Sequence, residues 1–508
     1  MPTRQDVAIG LSLATLWFIG VWSDLLPFLY LSSRFPVGAL PCWQDFLAVL
    51  LNVCLLGAAF AVGRALIRRA PHSIRVAAGW AFLVSLIVPL NVIRNHFHTH
   101  LEPLLDAMGP IAARTLIALL MIAAAAVIVR WRSAVIHGIT TGLLILFPLV
   151  PLLFAQAAWA ISQAHGRMQC AGASTFAAPF QSAPRIRVIW IVYDELEEYA
   201  AFAARPRDLA LPALDRLRAE SIAAAPFAPA DRTERSMPAF LIGAPVDDSM
   251  LTSRNELKLT VRGRSDVRPL APVDTVFARA RDLGINAGVA GFFLPYCALV
   301  GPVVTRCAWQ PCVTCGRMVG AFGSSVRESM TNQLSELAPR YGVRRHLASY
   351  QALQAAGLQL ASDRSLGFAL IHLPVPHAPA IYDRRTGQFS LTVSADTGYF
   401  DSLALTDKSL GELRRAMEAN GSWASTTVMV FADHGRRSLA DGVSVAHPEV
   451  PLLLKLAGSN HGQQYRAAFN AVLVHDLTLE LLSGRLRTTG DVIGWLDANR
   501  TRWPVPSP

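Results

Sequence analysis

The chain has 508 residues, of which 52% are hydrophobic and 16% charged, and its mean hydropathy is +0.35. Soluble domains carry about 25% charged residues, so this balance excludes a wholly soluble protein. The net charge of +10 comes almost entirely from arginine, since lysine occurs only at Lys258, Lys408 and Lys455; with no basic patch interleaved with aromatics, nucleic acid is not an expected partner.

The apolar excess sits in the first third. Five stretches, at about 7–31, 44–67, 76–93, 111–131 and 135–158, approach the roughly 20 residues that a helix needs to cross a hydrocarbon core of about 30 Å. They are apolar all round and follow one another directly, which core helices of a soluble domain do not do. The first is too long for a signal peptide and lacks a small-residue cleavage site, so it reads as a retained helix. Arg64, Arg68, Arg69 and Arg75 crowd the second link and Arg130 and Arg132 the fourth. The positive-inside rule then puts the N-terminus in the cytoplasm, and an odd number of helices puts everything after 160 outside. The expected organisation is a transmembrane domain (1–160), a linker (161–184) with breakers at Pro179 and Pro184, and an exported domain (185–508). That describes a multi-pass protein of a bacterial-type inner (plasma) membrane with its large domain on the periplasmic or extracellular side. His96, His98 and His100 fall in an outer loop and read as interfacial residues.

Cysteine usage follows from that placement. Cys297, Cys307, Cys312 and Cys315 cluster in the exported half. In a cytosolic protein they would indicate zinc, but an oxidising compartment favours two disulfides. Cys42 and Cys170 offer a further pair by count alone.

In the exported domain, Arg187–Tyr193 is an unbroken β-prone run, as expected of a strand buried on both faces, and it empties into Asp194 and Glu195. Leu211–Ala225 reads as an amphipathic helix, and helical patterning recurs through 325–360. A second buried strand, Leu366–Ile371, leads into His372 and His377. A helix over 403–419 precedes a third strand, Thr426–Phe431, which ends in Asp433-His434-Gly435, and a last strand, Val450–Lys455, follows His447. Strands and helices alternating in this way predict an α/β doubly wound sheet with ligand-type residues at one edge. Asp194, Glu195, Asp433 and His434 offer hard oxygens and an imidazole, a donor mixture suited to a divalent metal, zinc or manganese.

Between the first two strands lies Asp231-Arg232-Thr233-Glu234-Arg235-Ser236-Met237-Pro238, a polar loop running into a small apolar block that ends at Gly243. Thr233 near a helix N-terminus reads either as an ordinary N-cap or as a hydroxyl placed where an oxyanion is favoured. Beside a divalent metal, a threonine hydroxyl can serve as a nucleophile. His372, His377 and His447 are candidates for a second metal, for phosphoryl binding or for leaving-group protonation.

The stretches VIWIVYDELE, LPALDRLRAESIAAAPFAPADRTERSMPAFLIG, HLPVPHAP and TTVMVFADHG resemble the alkaline phosphatase superfamily in its sulfatase-like branch, over about 185–455. With five membrane helices in front, the chain resembles the membrane phosphoethanolamine transferases and lipoteichoic acid synthases. This resemblance implies metal ligation by Glu195, Asp433 and His434 with Asp194, and a covalent intermediate on Thr233. Sulfatases that use formylglycine carry C-x-P-x-R or S-x-P-x-R. Ser236-Met237-Pro238-Ala239-Phe240 lacks the arginine, whereas Thr233, ten residues before Gly243, matches the nucleophile position. In the transferases a histidine about a dozen residues beyond the DHG motif binds substrate or a second metal, and His447 has nearly that spacing. The expected function is transfer of a phospholipid headgroup, such as phosphoethanolamine, to an envelope glycan or lipid through a phosphothreonine. The alternatives are a phosphate or sulfate monoester hydrolase with a passive membrane anchor, and a non-catalytic binding protein on the same fold.

Overall fold

The computed structural model describes the chain except for residues 26–40, 92, 94–109, 163–174, 182–183, 254–255, 313–321, 339, 394–397, 437–448 and 506–508. The described residues form two compact units. One draws on described residues within 1–25, 41–162 and 322–338, the other on those within 175–312 and 340–505. Residues 322–338 pack with the helical unit.

Among the described residues of that unit, two helices are long and apolar enough to cross a membrane, Trp43–Arg69 and His72–Asn91. Thr115–Arg130 and Arg132–Leu146 pass only as a pair bent by 99°, which raises the number to three if the pair is one span. Of the five expected spans, two or three thus meet this length and composition among the described residues; Arg4–Trp17 and Leu149–Ser162 are apolar helices of 14 residues each. Arg4–Trp17 meets Trp43–Arg69 at glycine on both sides. A Cβ on Gly10 would lie 2.4 Å from the Gly57 carbonyl oxygen, and one on Gly57 would lie 2.7 Å from Leu11 Cδ2. Small residues here permit the close backbone approach that packs apolar helices.

The helix Val326–Ser335 is fastened to Trp43–Arg69 by buried polar contacts. The Asp45 carboxylate accepts from Cys42 N at 2.7 Å, Ser329 Oγ at 2.7 Å and Gly323 N at 3.1 Å. Gln333 Nε2 donates to the Asp45 carbonyl at 3.0 Å, and Asn52 Nδ2 donates to Gln333 Oε1 at 3.0 Å. In a low-dielectric interior such bonds fix register, because breaking one strands a buried polar group.

The second unit is built on β1 (Val188–Asp194), β2 (Ile222–Ala224), β6 (Ala287–Phe292), β7 (Arg306–Gln310), β8 (Phe368–Pro376), β11 (Thr427–Ala432), β12 (Leu452–Lys455) and β13 (Gln463–Tyr465), in the order β13-β2-β12-β11-β1-β8-β6-β7. The five strands from β11 to β7 are parallel, whereas β12 is antiparallel to both β11 and β2. The expected α/β architecture is present with a mixed sheet. Two small sheets accompany it: β3 (Val246–Ser253), β4 (Glu256–Val261) and β5 (Val267–Pro269), and the pair β9 (Tyr382–Asp383) and β10 (Gln388–Phe389). Every residue of β1 and β11 is buried, which is why both read as continuous apolar runs. Trp190 on β1 meets Phe368 and Phe431 edge-on at 5.2 and 5.4 Å. Its Nε1 donates to Thr478 Oγ1 at 2.8 Å, so the ring is buried with its polar atom satisfied.

The helix expected over 211–225 stops at Ala219 and gives way to β2. The helical pattern over 325–360 is broken between Val326–Ser335 and Tyr341–Ser362, where Arg340 has φ 58°. Cys297 and Cys307 form a disulfide with each other, and Cys42 and Cys312 each take part in a disulfide of their own. Cys170 and Cys315 lie outside the described residues, as do His96, His98 and His100.

Candidate active site

Parallel α/β sheets present ligand groups at the C-terminal ends of their strands, and Asp194, Asp433 and His434 come together there. Asp194 is the last residue of β1, and Asp433 and His434 follow β11, its neighbour. The β1–β8 register shifts between Tyr193 and Asp194, and Glu195 adopts φ 65°. That left-handed conformation is uncommon for a side chain with a Cβ, so the surroundings must hold it. They do: Glu195 N donates to Asp433 Oδ1 at 3.2 Å, and Tyr399 Oη donates to the Glu195 carbonyl at 2.8 Å.

The polar loop enters the helix Thr233–Ile242 with Arg232 as the extended N-cap residue. Thr233 is therefore the first helical residue and not the cap. Its Oγ1 donates to Asp433 Oδ2 at 2.7 Å and lies 3.2 Å from His434 Nε2. Ser236 is bonded elsewhere, donating to the Ala230 carbonyl at 3.0 Å. Pro238 has no N–H to offer the Glu234 carbonyl, and Ser249 Oγ donates to that carbonyl instead at 2.5 Å. The helix ends at Gly243, φ 69°, where a Cβ would lie 2.5 Å from His475 Nδ1.

The donor set is suited to a divalent cation. Asp194, Asp433 and His434 are fully buried, and one ligand atom from each lies within 4.8 Å of the other two. His434 Nδ1 lies 2.7 Å from the Gly435 carbonyl, which can only accept. Nδ1 therefore carries a proton, and Nε2 faces the carboxylates, 3.6 Å from Asp194 Oδ1 and 3.5 Å from Asp433 Oδ2. Two carboxylates converging without solvent repel one another unless positive charge is shared between them. Although burial opposes its ionisation, Asp433 is held below the ordinary carboxylate range by His434, His372, the Thr233 hydroxyl and the His434 N–H.

Residues 324–478 match the sulfatase family model. Among curated proteins, nothing matches the chain. Of the solved structures, Ps i-CgsB is 14% identical over 63% of this chain and 77% of its own, with a TM-score of 0.44. A Vibrio parahaemolyticus protein in the alkaline phosphatase superfamily is 15% identical over 60% and 68%, with a TM-score of 0.39. The lipoteichoic acid synthase LtaP from Listeria monocytogenes is 12% identical over 62% and 75%, with a TM-score of 0.38. The segment matched to the sulfatase family holds Asp433, His434, His372 and His377, while Asp194, Glu195 and Thr233 precede it.

The other histidines of this sulfatase-like domain are placed differently from one another. His372 lies inside β8, not beyond it, and is fully buried. Its Nδ1 is 3.1 Å from Tyr296 Oη. Burial lowers its pKa to about 4, with Asp433 pulling the other way, and it stands behind the site. His377 follows β8, its N–H donating to the Asp194 carbonyl at 3.1 Å and its Nε2 standing 3.9 Å from Glu195 Oε1. His447 lies outside the described residues. Sequence reasoning passed over three neighbours, Tyr296, Tyr399 and His346. His346 sits in mid-helix, fully buried, its ring 6.5 Å from that of His377, and burial lowers its pKa to about 3. None of the three adjoins a strand end, so no motif marked them.

Proposed function

We propose that the protein is a membrane-anchored, metal-dependent phosphotransferase or phosphodiesterase. Thr233 attacks a phosphodiester, such as a phosphoethanolamine-bearing phospholipid, and the phosphoryl group passes to a hydroxyl of an envelope glycan or lipid, or to water. The observation that carries this reading is the Thr233 hydroxyl, hydrogen-bonded to Asp433 within the buried Asp194–Asp433–His434 cluster. A divalent cation held by these residues with Glu195, zinc or manganese by its donors, would favour the deprotonated hydroxyl and offset charge on the phosphoryl oxygens.

The chain's own groups supply the rest. Asp433 Oδ2 is the nearest acceptor for the Thr233 proton. As the Oγ1–P bond forms, the Thr233 proton passes to Asp433, the bond from phosphorus to the leaving oxygen breaks, and that oxygen takes its proton from His377. The acceptor hydroxyl then attacks phosphorus and gives its proton to His377, while the Oγ1–P bond breaks and Asp433 returns its proton to Thr233. Threonine cannot become formylglycine, which weighs against sulfate-ester hydrolysis by that route. The family match itself supports a second reading, hydrolysis of a soluble phosphate or sulfate monoester. Helices able to cross a membrane and the Cys297–Cys307 disulfide support an inner-membrane protein whose catalytic unit faces an oxidising exterior.

Intact-protein mass spectrometry after incubation with phospholipid should show a phospho-adduct on Thr233. Thr233→Ala should lose the adduct and lower turnover by about a thousandfold or more. Full turnover in that variant would sink the proposal, and turnover of small aryl esters with none on phospholipid would select the second reading.

A further inference from the structure

The helical unit contains a cleft unrelated to the strand-end chemistry. It has a volume of about 480 Å³ and lies among the helices Arg4–Trp17, Trp43–Arg69, His72–Ser85 and Arg132–Leu146. That volume falls within the range of about 300–1,000 Å³ common to ligand sites. Its walls include Phe60, Ala78, Phe82 and Ile136. Two hydroxyls also line it, but both are turned to their own helices: Ser85 Oγ donates to the Phe82 carbonyl at 2.6 Å, and Thr140 Oγ1 to the Ile136 carbonyl at 2.9 Å. The charged residues lining the cleft are Arg64, Arg68 and Arg75.

These arginines carry positive charge in excess. Arg64 Nε lies 3.1 Å from Asp6 Oδ1 and Arg68 pairs with Asp6 Oδ2, so one buried carboxylate serves two guanidinium groups. Arg75, an exposed residue, adds a second charge with no acidic partner among the described residues. From Arg75 to Ser85 the helix rises about 15 Å, so a cationic rim leads into an apolar slot. An apolar slot with a cationic rim, between helices able to span a membrane, complements an amphiphile with one long chain and an anionic head.

We propose that this cleft binds an anionic phospholipid, with an acyl chain along Phe60, Ala78 and Phe82 and its phosphate at Arg75 and the Arg64–Arg68 pair. The site rests on reading Trp43–Arg69 and His72–Asn91 as membrane spans and is independent of the chemistry at Thr233. Basic pockets between transmembrane helices recognise anionic head groups, each arginine near the surface contributing several-fold in affinity.

The test is native mass spectrometry of the full-length protein in detergent, titrated with phosphatidylglycerol or phosphatidylcholine of the same acyl chains. Phosphatidylglycerol should bind about tenfold more tightly. Arg75→Gln, a change at an exposed position, should weaken it about fivefold and leave phosphatidylcholine unchanged, and Ala78→Trp should weaken both by filling the slot. Thr233→Ala should bind like the parent, so loss of the catalytic reading would leave this one standing. Equal binding of the two lipids by the parent protein, or undiminished phosphatidylglycerol binding by both cleft variants, would overturn the proposal.

Discussion

Both units bury carboxylates, and they treat them in opposite ways. Asp45, in the helical unit, is fully buried and accepts three hydrogen bonds from Cys42 N, Ser329 Oγ and Gly323 N. Asp6, also fully buried, faces two arginines and the Thr3 backbone. In the α/β unit, Asp433 also accepts three hydrogen bonds, from Thr233 Oγ1, Glu195 N and His434 N, but it and Asp194 are brought toward each other and toward His434 Nε2. The first arrangement spends its hydrogen-bonding capacity on holding helices together. The second concentrates negative charge at one point, which is costly for folding and useful for binding a cation. A buried carboxylate is thus informative through what it faces, not through its burial.

Substitution should separate the two cases, and the largest effect belongs to the site. Asp433→Asn should lower turnover about a thousandfold and remove most bound metal, read by elemental analysis of the purified protein. In a chelator the same variant should also be less stable than the parent, since asparagine cannot accept all three hydrogen bonds that the carboxylate takes from Thr233 Oγ1, Glu195 N and His434 N. Unchanged metal content in the variant would mean that Asp433 is a structural group like Asp45. Asp45→Ala should leave bound metal unchanged and lower stability by about 2 kcal/mol, because it removes the carboxylate that the Ser329 hydroxyl and the Cys42 amide donate to. The readout is thermal or denaturant unfolding of the full chain in detergent, and a change below about 0.5 kcal/mol would show that the helix Val326–Ser335 is held by something else.

The sequence carried the two units unequally. β1 and β11 were legible because strands buried on both faces leave unbroken apolar runs, and the acidic groups after them mark a sheet edge. β6 was not, since Ala287-Gly288-Val289-Ala290-Gly291-Phe292 is rich in residues with weak strand preference. The expected strand Leu366–Ile371 stops short of β8, which runs on through Pro374 to Pro376. The β6 ladder ends at Ile371, so both prolines sit where β8 has one neighbouring strand, a position proline tolerates. The Thr233–Asp433–His434 contact joins groups some 200 residues apart, and only its residue types were visible in advance. Apolarity marked the helical unit but not its span count, because the kink at Trp131 and the return of 326–335 depend on tertiary packing.

A smaller effect extends the comparison beyond the site. Glu198 lies 3.4 Å from Arg218 yet is largely buried, and burial outweighs the ion pair, raising its pKa from 4.5 to about 7. A raised carboxylate pKa means that the folded state binds the proton more tightly than the unfolded state. Stability from this group is therefore full below about pH 4.5, falls as pH rises through 4.5 to 7, and carries the whole penalty above 7. Glu198→Gln removes the charge and with it the penalty, so the variant should gain about 2 kcal/mol at pH 8 and almost nothing at pH 4. Denaturant unfolding at the two pH values measures the difference. A loss of stability at pH 8 would show that Arg218 pairs with Glu198 strongly enough to overcome its burial, placing this carboxylate with Asp6 and not with Asp194.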